Sequence, residues 1–269
     1  MNFERYNNDI ILYQEDFDLD ETLDCGQAFR WTKISEKTYC GYFLGNYLEI
    51  VQESDRFILR NTSEESMRNI WIKYFDLDTD YGILKQRFSQ DKTLEQACRF
   101  AGGIRLLRQD PWECLCSFII SQNNNIPRIK GIISRLCSKY DQFPTAQMLS
   151  NENEETLQYL RSGFRAKYIV DAAAKISSGI IGFDHISELS YDEAKKKLML
   201  IKGVGPKVAD CVLLYGMYRT EAYPVDVWIK RVLENFYPDG MPECTKGYEG
   251  IAQQYLFHYI RNNRDILLK

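Results

Sequence analysis

The sequence comprises 269 residues with a mass of 31.6 kDa. At 45% hydrophobic and 27% charged it holds apolar material for one large domain or two of modest size, yet no apolar run near the ~20 residues of a membrane span and no basic-then-apolar leader, so a globular cytoplasmic protein is expected. The formal net charge of −4 speaks against a uniformly basic nucleic-acid binder, but it averages residues 1–95, with 11 basic and 19 acidic side chains, and residues 96–269, with 23 and 19; a polyanion is expected to meet the second part.

Taken in chain order, residues 1–95 read as β-rich. Phe29–Thr32 is a short strand candidate, Tyr39–Leu44 and Tyr47–Gln52 flank Gly45-Asn46, a two-residue hairpin signal that calls for positive φ, and Arg56–Asn61 adds another strand. Beyond Glu95 the pattern turns helical. Asp110-Pro111 reads as an N-cap with proline in the first turn, followed by the apolar run Trp112–Ile120. Asn123-Asn124-Asn125 interrupts it, and Pro127 opens a second helix through Ile129, Ile132, Ile133 and Leu136. Further helices are predicted at 153–161, 165–178, 190–200, 206–215, 226–236 and 247–262. The fold class is α+β: an N-terminal antiparallel β domain over 1–100, then a larger all-helical domain over 101–269.

The chemistry concentrates in Lys197–Tyr237. A helix ends at Leu200, Ile201-Lys202-Gly203-Val204-Gly205 makes a tight turn, and Pro206 begins the next helix. This is a helix-hairpin-helix pattern, in which glycines admit a close ligand and the unpaired amides of the new helix attract an anion such as phosphate; a sharp turn with no ligand is the alternative. Lys207 stands in the first helical turn, where the helix dipole disfavours an ammonium, and Cys211 follows on the same face. Pro224-Val225-Asp226 then breaks the chain, with Asp226 as the N-cap of Val227–Phe236. A lysine amine can form a Schiff base with a sugar C1′, and a carboxylate can stabilise positive charge developing on a deoxyribose. The plainer alternative leaves Lys207 solvated and Asp226 as a cap alone.

IKGVGPKVADCV, followed nineteen residues after the lysine by the aspartate of YPVDVW, resembles the helix-hairpin-helix-Gly/Pro-Asp superfamily of DNA glycosylases. Within it the chain most resembles the 8-oxoguanine DNA glycosylase/AP lyase family. LDCGQAFRW (23–31), GIRLLRQDPWECLCSFIISQNNNIPRI (103–129), SGFRAKYI (162–169) and AQQYLF (252–257) match that family's other landmarks in order.

The resemblance implies a bifunctional enzyme that flips 8-oxoguanine out of duplex DNA, opposite cytosine, and cuts the strand by β-elimination. It puts the nucleophile at Lys207 and the essential carboxylate at Asp226. Asn123, with Asn124 and Asn125 beside it, falls on the wedge that fills the gap left by the flipped base. Phe164 falls on the opposite wedge, where the family usually has tyrosine. Arg128 and Arg165 fall on the arginines that read the estranged cytosine, generic phosphate neutralisation being the alternative. The carbonyl of Gly26 falls on the acceptor for the N7 hydrogen that distinguishes 8-oxoguanine from guanine; a plain turn is the alternative. Gln253 falls on the reader of the Watson–Crick edge, and Phe257 and Cys211 on the pair that sandwiches the base, with Phe257 as ordinary core the competing view. Gly203 and Gly205 carry the hairpin contact to DNA.

One departure stands out: after Val-Asp-Val, where the family's best-known members have a phosphate-contacting histidine, this chain has Trp228, with Lys230 and Arg231 nearby to supply charge. Eight scattered cysteines without a C-x-x-C pair and two distant histidines, His185 and His258, give no zinc spacing, and only Cys244 lies beyond Cys211, too few for a C-terminal iron–sulfur cluster. No metal and no cofactor is therefore expected, and the partner is double-stranded DNA containing oxidised guanine, met by a monomer. Two alternatives remain: a non-catalytic helix-hairpin-helix DNA-binding protein, and a glycosylase for another damaged base.

Overall fold

Alternating apolar residues on short strands build a six-stranded sheet in the computed structural model, which describes residues 2–268. In chain order the strands are β1 (Asn2–Tyr6), β2 (Asp9–Tyr13), β3 (Trp31–Ser35), β4 (Thr38–Phe43), β5 (Asn46–Glu53) and β6 (Arg56–Leu59), and all pair antiparallel in the order β1-β2-β6-β5-β4-β3. The helices used below are α1 (Tyr81–Phe88), α2 (Lys92–Phe100), α3 (Pro111–Ser121), α4 (Ile126–Tyr140), α5 (Arg165–Ser177), α6 (Tyr191–Leu198), α7 (Pro206–Cys211), α8 (Val227–Phe236) and α9 (Glu249–Asn262). Among the described residues no helix is long and apolar enough to cross a membrane.

The chain divides into two compact units, residues 1–108 with 223–269, and Gln109–Ala222. This cut differs from the expected linear division at residue 100, because the last helices belong with the sheet-bearing unit. The reason is packing: Tyr255 of α9 is fully buried, meets Phe88 edge-on at 6.3 Å and donates its hydroxyl to the Ile104 carbonyl, while Phe100 of α2 meets Tyr259 at 5.5 Å. The sheet's inner face, with Ile10, Leu12, Trp31, Leu48, Ile50, Phe57 and Leu59, closes over Trp71, Tyr74 and Phe75 from the segment after β6.

Four details differ from the sequence expectation in this first unit. The β4–β5 loop is Leu44-Gly45 rather than Gly45-Asn46: both carry positive φ, and Asn46 pairs with Phe43 and donates its amide to the Phe43 and Leu44 carbonyls. β1 and β2 form a further hairpin around Asn7, whose φ is +56°. The stretch read as β-rich also contains helix at Glu64–Ser66 and Ile72–Tyr74, joined by the wide turn Met67–Trp71, and α1. The strand expected at Phe29–Thr32 begins at Trp31.

In the unit Gln109–Ala222 the local signals act as expected. Asp110 caps α3 by accepting from the Glu113 amide at 2.8 Å, with Pro111 at the helix start. Asn125 caps α4, which buries Ile129, Ile132, Ile133 and Leu136 along one stripe. Ser190 and Glu193 form a reciprocal capping box on α6. α7 runs on through one wide turn, Val212–Gly216. The helix expected at 153–161 is absent apart from the 3-10 turn Gln158–Leu160. Asn153 and Thr156 exchange side-chain-to-backbone bonds at 2.9 Å in both directions, a local arrangement that competes with helical pairing.

Candidate active site

In the unit Gln109–Ala222 the turn between α6 and α7 is pinned from α5. Asp171 accepts from the Lys202 amide at 2.7 Å and pairs with Lys175, which also donates to the Leu200 carbonyl. Gly203 has φ +77°, and a Cβ there would stand 2.2 Å from the Tyr168 ring, so both its backbone and its surroundings require glycine. Gly205 has φ −97°, with no atom within 4 Å of a Cβ position. It is the N-cap of α7, and without a side chain it leaves the first-turn amides uncapped.

Lys207 follows in that first turn, half-buried, with its ammonium 5.2 Å from the centroid of Phe118, whose ring stacks on Tyr215 at 5.3 Å. No carboxylate among the described residues pairs with it. One turn later Cys211 is buried, and its carbonyl accepts from the Cys114 thiol. Between them Asp210, almost fully buried, accepts from Lys195 at 2.8 Å and Tyr191 at 2.7 Å, which fastens α7 to α6. Burial raises the Asp210 carboxyl above the ordinary carboxylate range, against the pull of those two donors.

The three asparagines after α3 have separate fates. Asn124 donates its amide to the Ile120 carbonyl at 2.8 Å, and Asn125 is spent as the cap of α4. Asn123 is exposed, with φ +51°, and its side chain makes no hydrogen bond among the described residues. Arg165 is buried, and its guanidinium donates to the carbonyls of Gln122, Asn123 and Ser162, which ties this turn to the start of α5. Burial, and after it the charge of Arg128, lowers the pKa of Arg165. Phe164, 46% exposed, lies under the Arg165 guanidinium and meets Tyr168 edge-on. Arg128, Arg161, Ser162 and Phe164 line a cavity of about 600 Å³, and the buried Ser162 hydroxyl has no hydrogen-bond partner among the described residues.

In the sheet-bearing unit Gly26 has φ +94°, which again favours glycine. Its neighbour Gln27 is buried, donates to the Thr22 and Arg105 carbonyls and accepts from the Leu107 amide, so the loop is held at three points. Cys25, its thiol pushed up to about 11 by burial, lies 4.0 Å from Gln254 Oε1, and Gln254 donates to Gln253 Oε1 at 3.0 Å. The Gly26 loop and buried Gln253 are thereby linked. Phe257, one turn beyond, is half-buried with Arg261 over its ring at 5.9 Å. Asp226 caps α8: Oδ1 accepts from the amides of Trp228 at 2.9 Å and Ile229 at 2.8 Å, and Oδ2 makes no hydrogen bond among the described residues. Trp228 is half-buried, and the guanidiniums of both Arg231 and Arg264 stand over its ring, at 5.6 and 5.3 Å from the centroid.

The structure thus gathers Gly203, Gly205, Lys207 and Cys211 on one hairpin, Asn123 with Arg165, and Arg128 with Phe164, all in one unit. In the other it joins Gly26 to Gln253 and Asp226 to Trp228. Sequence reasoning missed Asp171, Asp210, Phe118, Ser162 and Arg264. Asp171 and Lys175 carry the spacing of a helical ion pair and were open to notice; the others depend on contacts with no local signal.

Residues 9–115 match the domain model for the 8-oxoguanine DNA glycosylase N-terminal domain, and residues 116–245 the model for HhH-GPD superfamily base excision DNA repair proteins. The N-glycosylase/DNA lyase of Saccharomyces cerevisiae is 33% identical over 262 residues, covering 81% of this chain and 68% of that protein. The structure of MBOgg1 in complex with a low-affinity DNA ligand superposes with a TM-score of 0.90 at 41% identity, over 97% of this chain and 98% of that one. The Clostridium acetobutylicum 8-oxoguanine glycosylase/lyase, in complex with double-stranded DNA containing cytosine opposite 8-oxoguanine, gives 0.91 at 36% identity, over 98% and 99%.

Proposed function

Because the chain belongs to the 8-oxoguanine DNA glycosylase family, of the HhH-GPD superfamily, we propose that it is a DNA N-glycosylase with AP lyase activity that removes 8-oxoguanine lying opposite cytosine in duplex DNA. The amine of Lys207 attacks C1′ of the flipped nucleotide. The C1′–N9 bond breaks, its electron pair leaves with the base, and the base takes up a proton. The sugar ring opens to a Schiff base on Lys207. Loss of a C2′ proton then expels the 3′ phosphate and nicks the strand. The carboxylate of Asp226 stabilises the positive charge that develops on the deoxyribose.

Asn123, the one asparagine of its turn with an uncommitted side chain, fills the gap left by the base, and Phe164 acts as the second wedge. Arg128 reads the estranged cytosine, for which an uncommitted guanidinium fork is suited. Arg165, already donating to three carbonyls, holds the asparagine turn in place for that reading. The Gly26 carbonyl accepts from N7–H of the lesion, Gln253 reads its other edge, and Cys211 and Phe257 cover its faces.

The observation that carries this reading is Lys207 itself: an ammonium in the first turn of α7, where the helix dipole opposes it, with no carboxylate paired to it among the described residues and an aromatic ring to position it. Borohydride should trap a covalent complex with an 8-oxoguanine·cytosine duplex, with less product when adenine, guanine or thymine stands opposite, and Lys207→Gln should abolish the adduct. Persistence of the adduct in that variant overturns the nucleophile, and binding without release of free base makes the protein a non-catalytic DNA binder.

A further inference from the structure

Trp228 occupies the position where the family resemblance expects a phosphate-contacting histidine, and its surroundings give it a different occupation. Arg231, one helical turn along α8, holds its guanidinium carbon 5.6 Å from the indole centroid, and Arg264, which opens the 3-10 helix Arg264–Leu268, holds its own at 5.3 Å. A guanidinium stacked on an aromatic ring uses its face and keeps its in-plane N–H donors for an acceptor. Neither arginine pairs with a carboxylate or donates a hydrogen bond to any described residue. Asp226, at the start of the same helix, caps it through Oδ1, which accepts from the amides of Trp228 and Ile229, and forms no ion pair with either arginine among the described residues. Both arginines are exposed. Two positive charges gathered on one ring, with no ion pair to either among the described residues, repel each other, and an anion that reaches both recovers that cost.

We propose that Trp228, Arg231 and Arg264 form a binding site for a backbone phosphate of DNA. The indole orients two guanidiniums that take over the contact a histidine makes elsewhere in the family. Trp228 and Arg231 lie two and five residues beyond Asp226 on α8, so the site serves a phosphate near the nucleotide whose sugar Asp226 stabilises; the identity of the anion as DNA rests on the proposed function above. Arg264 is the residue that no local motif announces, for it comes from the far end of the chain.

The test is the salt dependence of duplex binding, since each neutralised phosphate contributes a slope of about 0.9 in the logarithm of affinity against the logarithm of salt. Arg264→Gln should reduce the wild-type slope by up to about 0.9, the full loss being reached when Arg231→Gln is added, and weaken binding by up to about fivefold at roughly 0.15 M salt. Arg264→Lys should keep the slope, Trp228→Phe should keep most of the affinity, and Trp228→Leu should lose it as Arg264→Gln does. Unchanged slopes in folded Arg264→Gln and Arg231→Gln proteins overturn the proposal. A lowered melting temperature with an intact slope overturns it too, by making the stack a packing device alone. Base release by the wild-type protein is read in parallel: a slope that falls in the variant while the wild type releases no base keeps the phosphate site and removes the repair function.

Discussion

The two glycines of the Gly203-Val204-Gly205 turn look equivalent in the sequence, and the structure makes them opposites. Gly203→Ala meets two penalties. Its φ of +77° puts an alanine in the left-handed region at a cost of about 1–2 kcal/mol, and the new methyl would stand 2.2 Å from Tyr168, forcing the ring aside at about 1–3 kcal/mol more. The stiffer unfolded chain returns about 0.4–1 kcal/mol. The net loss is about 3 kcal/mol, or roughly 6–12 °C in melting temperature for a chain of this size. Because Tyr168 also packs edge-on against Phe164, the damage should extend to that ring, the proposed second wedge.

Gly205→Ala meets neither penalty. Its φ is −97° and the methyl enters open space, so the small N-cap preference for glycine over alanine and the unfolded-state gain nearly cancel, leaving stability within about 1 kcal/mol of wild type. If the amides at the start of α7 meet a phosphate, that methyl stands in its way, and duplex affinity should fall at least about tenfold, near 1.4 kcal/mol. Thermal melting and fluorescence-anisotropy binding of both variants form the assay. A Gly203→Ala protein that melts with the wild type, or a Gly205→Ala protein that loses more than about 2 kcal/mol, refutes the assignment of the one glycine to the fold and the other to the ligand.

Asp226→Asn should leave stability within about 0.5 kcal/mol, since asparagine caps helices as well as aspartate, while abolishing base release, and Asp226→Ala should lose about 1 kcal/mol as well; equal activity in the asparagine variant and the wild type removes the carboxylate from the chemistry. Stability should also fall in acid from identifiable carboxylates. Burial alone would raise Asp20, but hydrogen bonds from Lys33, Tyr39 and Lys37 outweigh it and hold its carboxyl at about 2, while Glu152 is held at about 2 by hydrogen bonds from Lys139, Thr156 and Tyr140. Both pKa values are depressed, so the stabilisation is complete above the unfolded values of 3.8 and 4.5 and is lost as pH falls towards 2. Asp20→Asn and Glu152→Gln should each flatten the decline of melting temperature between those limits, and curves parallel to wild type contradict the pairing.

The helical part of the chain was legible because its punctuation is local. Asp110-Pro111, Asn125 before Pro127 and Gly205-Pro206 each specify a helix start within two or three residues, and each start lies where the sequence puts it. The N-terminal part was harder. Met67, Trp71, Tyr74 and Phe75 have helical spacing, but aromatic residues also favour strands, and the segment bends through a wide turn that blurs the period. The loop at 153–161 shows the converse: its composition permits a helix, and one reciprocal Asn153–Thr156 pair prevents it. The resemblance named candidate site residues one motif at a time, whereas Asp210 with Lys195, Arg165 with the carbonyls of Gln122 and Asn123, and Arg264 with Trp228 are meetings across 15 to 43 residues that no periodicity encodes.

Net charge was the weakest of the early signals, and the ion pairs explain why. Many carboxylates of the first 95 residues are held by a cation within the fold: Asp9 pairs with Arg60, Asp16 with Lys85, Asp18 and Asp20 with Lys37, and Asp76 with Arg108 from the basic part of the chain. Other carboxylates cap helices, as Asp80, Asp91, Asp110 and Asp226 do, each turned toward backbone amides. Carboxylates so engaged present little field to an approaching polyanion, because a partner cation or helix N-terminus already compensates them. Arg128, Lys207, Arg231 and Arg264 have no such partner among the described residues. A chain of net charge −4 can therefore bind DNA with a steep salt dependence: the slope counts the cations that meet phosphate and is indifferent to charges neutralised elsewhere in the fold.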